Sequence, residues 1–376
     1  MLKIGIVSIT RTHMLNLAIA LQDKKDVDVI FYTLTPAKRL RQFGYKGKVV
    51  SFVFPLGLIF YAVHKLPFSF ERGLRLGHKL RNLFDKWCSL FIKPCDILVG
   101  ENGDAYKTSI IAKKKFDSIV ICDQGSSHIS AQDAYFKEMG VYTNPWNTKN
   151  LLNHYEVSDY MMVPSEYVKK TDLEGGIESH RILYNPYGVN TSVFHVTDKP
   201  SHDAYDILFV GNWCLRKGCD MLAEACKQLN LRLLHVGGIT NCPFPKESNF
   251  THIGIVKETE LPKFYSQAKI FVLPSKNEGL ALVTLQATAS GLPLVSSMNA
   301  GGVDIKKLIG EANSCFIIEE PLTTENLMKS IKQALAYANA LPEGPRNQNG
   351  DAIKNITWEA YGDRYYKILK EISSKR

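Results

Sequence analysis

The chain lacks any stretch of about 20 apolar residues, the length a helix needs to span a bilayer. The apolar run VVSFVFPLGLIFYAV, residues 49–63, is too short and is interrupted by Pro55 and Gly57. There are eight cysteines but no CxxC pair and no His/Cys cluster at zinc spacing. CLRKGC, with Cys214 and Cys219, comes nearest and reads as incidental. These absences argue against a disulfide scaffold or a structural zinc and suit reduced thiols in a cytoplasm. The opening MLKIGIVSI reads as a strand, too short and too poorly flanked for a signal peptide. No low-complexity tract or short internal repeat stands out.

Acidic residues are scarce in one region. From Pro36 to Pro94 there are twelve Lys or Arg against Glu71 and Asp85, about +10, in a chain whose formal net charge is +9. The remainder is near neutral. Such a localised field attracts polyanions (nucleic acid, anionic lipid or phosphorylated substrates), and it equally suits a solvated surface. The run 49–63 lies inside this region and is followed by His64 and Lys65, a combination suited to a peripheral membrane contact or to a buried strand and helix start.

What is present is globular. With 376 residues, 45% hydrophobic and 22% charged, the chain is long enough for about two domains, each able to bury its own core. Strand-like runs alternate with helix patterns. KIGIVSI, VDVIFYTL, DILVG, SIVICD and YMMVPS mark the first half, with helices near His13 to Gln22 and Ala105 to Lys115. The rhythm restarts after VTDKPSHDAY: YDILFVGN, LRLLHVGG, KIFVLPS and LPLVSS, with helices at GCDMLAEACKQL, TELPKFYSQA and Val283 to Ser290. This alternation predicts α/β architecture: two doubly wound, Rossmann-like domains facing across a cleft, with ligands at the carboxyl ends of parallel strands. We expect domains at 1–195 and 196–355, with a closing helix at 356–376 that packs back on the first.

The strand ends therefore carry the candidate chemistry. FVGNWCLRKG places Gly211 at a strand end and Arg216 and Lys217 before a helix, a pattern for an anion site, or simply a surface pair. VLPSKNEGLALV ends a strand at Pro274, and Glu278 and Gly279 are expected to open a helix. There Glu278 could cap N–H groups or accept hydrogen bonds from sugar hydroxyls, while Gly279 lets backbone approach a ligand closely. Gln286, eight residues on, is expected about 80° around that helix and able to face the same ligand. In the first half, CDQGSSHIS gathers Asp123, Ser126, Ser127 and His128 at a strand end, suited to orienting a hydroxyl or to capping a turn. GENGD adds Glu101 and Asn102, and SITRTH adds Arg11. The DVD at Asp26 to Asp28 lies where a helix passes into a strand and reads as a solvated turn rather than a metal site.

Taken in order, VPSEYVKK…RILYNPYGVNTSVF, FVGNWCLRKGCDMLAEA and HIGIVKETELPKFYSQAKIFVLPSKNEGLALVTLQATASGLPLVSS resemble the donor half of retaining glycosyltransferases of glycosyltransferase family 4, the glycosyl transferases group 1, which have the GT-B fold. TWEAYGDRYYKIL resembles their closing helix. The resemblance covers about 160 to 372 well and the first half only in outline. It implies that Lys217, with Arg216, binds the diphosphate of a nucleotide sugar and that Glu278 contacts the transferred sugar. Backbone N–H groups of Gly279, Leu280 and Ala281 would assist. Gln286 would sit where the family has a second Glu for the ribose, and Ile255 and Val256 would border the base. Gly211, Asn212 and Gly237 complete the donor side, while Asp123, His128, Arg11, Glu101, Asn102, Ser126 and Ser127 would face the acceptor. Asn212 stands where the family has Arg, and Gln286 where it has Glu, which leaves room for an unusual donor or for lost activity. The expected partners are a nucleotide-sugar donor and a glycan or lipid-linked acceptor, with an anionic membrane surface in addition and no nucleic acid. No metal or cofactor is expected. A nucleotide-sugar epimerase of similar fold and a binding-only descendant are the rival readings.

Overall fold

The computed structural model describes residues 1–376 except 64–69, 142, 202, 311–313 and 376. The flanking His64 and Lys65 of the apolar run lie outside the described residues. The chain divides into two units. Unit 1 comprises Met1–Val163, Val168–Asn185 and Tyr361–Arg376, and unit 2 comprises Pro164–Tyr167 and Pro186–Ala360.

Among the described residues, unit 1 is built on seven strands: β1 (Leu2–Val7), β2 (Val27–Thr33), β3 (Lys48–Ser51), β4 (Ile97–Glu101), β5 (Ile119–Asp123), β6 (Tyr160–Val163) and β7 (Ile182–Tyr184). Their order is β3-β2-β1-β4-β5-β6-β7, and every pairing is parallel. Parallel sheets carry helices on both faces, so their central strands are buried on both sides and read as unbroken apolar runs. In β1, Ile4, Ile6 and Val7 are buried, and in β4 so are Ile97, Leu98 and Val99. Crossover connections run outward in opposite directions from the β1/β4 boundary, which makes it the topological switch point of this sheet.

Unit 2 repeats the scheme with β8 (Tyr205–Val210), β9 (Leu233–Val236), β10 (Phe250–Ile253), β11 (Ala268–Leu273), β12 (Leu294–Ser296) and β13 (Cys315–Ile317). The order is β10-β9-β8-β11-β12-β13, again all parallel, so the switch point falls between β8 and β11. Both sheets are flanked by helices, the doubly wound α/β architecture.

The chain returns to unit 1 through the helix Trp358–Ser374. Asp26 accepts hydrogen bonds from Tyr366 Oη (2.8 Å) and Lys370 Nζ (2.9 Å) of that helix, and Asp28 pairs with Lys48 (2.6 Å). The DVD stretch is thus more than a solvated turn: its first carboxylate fastens the last helix. Gly362 permits the close packing, since a Cβ there would lie 2.2 Å from that of Ala20. All eight cysteines are free and buried.

Candidate functional site

In unit 2 the loops after β8 and β11 are tied into one structure at the switch point. Leu215–Lys217 forms a single 3-10 turn, and Gly218, at φ 70°, hands it to the helix Cys219–Gln228. A Cβ at Gly218 would lie 2.2 Å from the Pro274 carbonyl, so only glycine lets the β8 loop approach the β11 loop this closely. Lys276 N–H donates to the Arg216 carbonyl (2.8 Å), and Ser297 Oγ donates to the Ser275 carbonyl (2.6 Å).

This stitching brings Arg216, Lys217 and Glu278 together. Arg216 Nη1 donates to Glu278 Oε2 at 2.7 Å and to the Asn277 carbonyl at 2.6 Å, and Lys217 Nζ reaches the same Oε2 at 3.1 Å. Burial pushes the Glu278 carboxyl upward, but Lys217 and Arg216 outweigh it and hold the group below the ordinary carboxylate range. Glu278 is therefore ionised at neutral pH, an acceptor of hydrogen bonds and not an acid. Two cations facing one carboxylate leave an excess of one positive charge.

Behind this cluster, β8 and β9 end in paired glycines. Gly211 (φ 133°) and Gly237 (φ 148°) both adopt backbone that side chains disfavour, and a Cβ on Gly237 would fall 2.1 Å from the Gly211 oxygen. The same oxygen lies 2.9 Å from Nε2 of buried His235. A carbonyl can only accept, so Nε2 carries the proton and Nδ1 must accept from His252 Nδ1, 2.9 Å away. Burial holds His235 down at about 4, which keeps it neutral. Nothing in the local residue pattern announces this support beneath the loop. Asn212 follows Gly211 directly, with its Oδ1 2.8 Å from where Gly238 would carry a Cβ. Ile255 is 84% exposed beyond β10, beside Val256.

Two details differ from the sequence-based expectation. The helix begins at Leu282, not Glu278, because Ala281 is extended (φ −73°, ψ 116°) and serves as its N-cap. Glu278 and Gly279 therefore lie in a loop, and the angular relation to Gln286 does not apply. The Ala281 N–H, expected to face a phosphate, donates instead to the Ala300 carbonyl (3.4 Å), while the Gly279 carbonyl accepts from Ser165 Oγ (3.0 Å). Leu280 is buried. Gln286 is also buried, and its Oε1 accepts from Tyr265 Oη at 3.0 Å.

The strand ends of unit 1 assemble a different chemistry. Asp123 closes β5 and holds His13 Nε2 at 2.7 Å through Oδ1, while Tyr365 Oη donates to its Oδ2 at 3.0 Å. Burial lowers the affinity of His13 for a proton, but Asp123 and Glu101 more than restore it, so its pKa lies above 6.5. Glu101, at the end of β4, accepts from Ser8 Oγ (2.5 Å) and Thr12 Oγ1 (3.1 Å). Buried Asp104 accepts from Ile9 N–H (2.9 Å) and lies 3.4 Å from Arg81; burial lifts it to about 7. Asp104 closes the GENGD stretch already noted, whereas His13, Tyr365 and Ser8 are not singled out by the sequence. His13 follows the N-cap Thr12 just after β1, so the strand-end logic applied to Asp123 could have found it.

The other candidates of unit 1 have structural duties. His128 is 1% exposed and caps the helix Ile129–Glu138 by accepting from Ser130 N–H (3.3 Å). Ser126 Oγ and the Ser127 carbonyl both accept from Gln132. Asn102 donates to Tyr155 Oη at 3.0 Å. The Arg11 guanidinium stacks over Phe43 at 4.1 Å. Among the described residues no group of three or more His, Cys, Asp or Glu is arranged to hold a metal ion.

The fold is of the GT-B type, with two Rossmann-like domains. Anabaena Alr3699/HepE, solved in complex with UDP and glucose, superposes with a TM-score of 0.65 at 12% identity, covering 99% of this chain and all of that one. Residues 204–337, in unit 2, match the family model for glycosyl transferases group 1. An uncharacterized glycosyltransferase, MJ1178, of Methanocaldococcus jannaschii is 26% identical over 57% of this chain and 60% of its own length. The capsular polysaccharide biosynthesis glycosyltransferase CapM of Staphylococcus aureus is 23% identical over 46% of this chain and 49% of its own. The chain thus spans about half to three fifths of the length of these curated relatives.

Proposed function

We propose that this protein is a glycosyltransferase, moving a sugar from a nucleoside-diphosphate sugar to a glycan or lipid-linked acceptor with retention of configuration. One observation carries the reading: Arg216 and Lys217 converge on a single oxygen of Glu278 at the switch point of unit 2, with positive charge in excess. A diphosphate arriving there meets fixed cations that stabilise it as it departs from the sugar. No metal is needed for that task. Ionised Glu278 then accepts hydrogen bonds from the hydroxyls of the sugar. Asp123, with His13 beside it, serves as the acceptor-side group of unit 1.

The resemblance to glycosyl transferases group 1 supports retention. The UDP and glucose named with the Anabaena neighbour support a nucleotide-sugar donor. The capsular polysaccharide biosynthesis named for the CapM relative supports a polysaccharide acceptor. Among the described residues no helix is long and apolar enough to cross a membrane.

The test is a thermal-shift screen of nucleoside diphosphates, followed by measurement of diphosphate release from the corresponding sugar nucleotides. A ligand that binds only the folded state raises its apparent stability. We expect one diphosphate to raise the melting temperature of wild type and not of Lys217→Ala, and turnover to survive EDTA. Equal response in both proteins would sink the role of Lys217. A binding-only descendant is the second reading, favoured by Asn212 in place of a cation and by Gln286 being engaged with Tyr265. It predicts the thermal shift without turnover.

A further inference from the structure

The helix Phe70–Phe91 of unit 1 has two faces. Leu80, Phe84 and Cys88 point into the core with Phe52, Leu56 and Phe60. Along its solvent side the exposed residues are Arg72, Arg75, Lys79, Leu83, Lys86 and Leu90. Their spacing of three or four residues keeps all six within a strip about 80° wide on a helix roughly 33 Å long. Four are cations, two are leucines, and none is acidic. Arg81, another of the twelve basic residues in 36–94, lies instead beside buried Asp104.

The run 49–63 continues the strip. After β3 it forms a bent turn, Val53–Gly57, and a short helix, Leu58–Val63, docked on the long helix through the packing of Phe52 against Phe84, Trp87 and Phe91. Leu56 and Phe60 turn inward, and that leaves Phe54 79% exposed, Leu58 56% and Ile59 47%. Leu90 and Phe91, at the adjoining end of the long helix, are 69% and 56% exposed. Apolar side chains of this size clustered on a surface mark an interaction site. Cations in line with apolar residues on one helix face fit the boundary between anionic head groups and acyl chains: the stems and leucines enter the apolar layer while the charges meet phosphate.

We propose that this face of unit 1 docks on an anionic lipid bilayer, the long helix lying flat with Arg72, Arg75, Lys79 and Lys86 on the head groups and Phe54, Leu58, Leu83 and Leu90 in the interface. The proposal draws its purpose from the lipid-linked acceptor above, but its evidence is separate. The test is co-sedimentation of the full chain with phosphatidylcholine vesicles, with or without phosphatidylglycerol. Wild type should bind only the anionic vesicles and release in high salt. Replacing Arg72, Arg75, Lys79 and Lys86 with Ser should raise the lipid concentration for half-binding at least about tenfold. Phe54→Ser with Leu83→Ser and Leu90→Ser should weaken binding while the charge stays. Replacing exposed Lys114 and Lys115, off this face, should change nothing. Equal binding to both vesicle types, undiminished binding by the four-charge variant, or an equal loss in the Lys114 and Lys115 control would overturn the proposal. So would retention on RNA with no vesicle binding. Nucleotide-induced thermal shifts, which read unit 2, should be the same in all these variants. Their loss in wild type would sink the functional reading and leave the lipid surface standing.

Discussion

The two units share one topology and differ in what their switch points hold. In unit 2 the loops after β8 and β11 present Arg216 and Lys217 around a single carboxylate. In unit 1 the ends of β4 and β5 and the turn after β4 present three carboxyl groups, Glu101, Asp123 and Asp104, with one histidine, His13, bound to Asp123. The first cluster is suited to an anion and would repel nothing a diphosphate brings. The second would repel a phosphate and suits neutral hydroxyls, which hydrogen-bond to carboxylates and imidazole. The same backbone solution thus supports opposite electrostatics, because strand-end loops are free to vary while the sheet beneath them is fixed by packing.

The strongest way to break this contrast is Lys217→Ala. Loss of one preorganised charge at a leaving group costs about 10²–10³ in turnover, so diphosphate release should fall by that much while Asp123→Asn leaves nucleotide binding intact. Turnover unchanged within twofold would dissolve the distinction. Next, Gly237→Ala should destabilise unit 2 by about 3 kcal/mol, since its Cβ meets the Gly211 oxygen and its φ is positive. Chemical denaturation reads this, and an unchanged midpoint would mean the two loops can separate freely.

The buried carboxyl and imidazole groups of unit 1 have their own tests. Burial lifts Asp172 to about 7 against the opposing hydrogen bond from Gln124 Nε2 (2.8 Å). A carboxyl raised in the fold costs stability as pH climbs from 3.8 to about 7. Asp172→Asn should therefore be more stable than wild type by about 1 kcal/mol at pH 8, with the advantage gone near pH 4. A pH-independent difference would refute the buried ionisation. The smallest effect concerns His13. Its folded pKa exceeds 6.5, so the stability contributed by its pairing with Asp123 is complete below pH 6.5 and is lost as pH rises through the folded value. The stability gap between wild type and His13→Gln should narrow between pH 5.5 and 8.5. A constant gap would show that the pair does not depend on imidazole charge.

Some of this was legible in the residues. Strands such as KIFVLPS and SIVICD declare themselves because a doubly buried parallel strand must be apolar at every position. Arg216, Lys217 and Glu278 were found because a polar group just past such a strand stands where ligands bind. By contrast, β7, β12 and β13 have three residues each, too few to show a period, and only β12 was anticipated, from LPLVSS. The long helix Phe70–Phe91 was seen as charge and not as structure, since two glycines and its basic residues obscure the apolar face.

By itself, then, the sequence determined the alternation of strands and helices, the two-part division and the cationic phosphate-type motif, because these are written in local pattern and neighbouring residues. Only the folded chain decided that His13 meets Asp123 across 110 positions, that Tyr365 returns from the last helix to the same carboxylate, and that Glu278 takes both cations. Contacts of that kind depend on how strands are ordered in a sheet, and sheet order is settled by the burial of whole layers and not by any one segment.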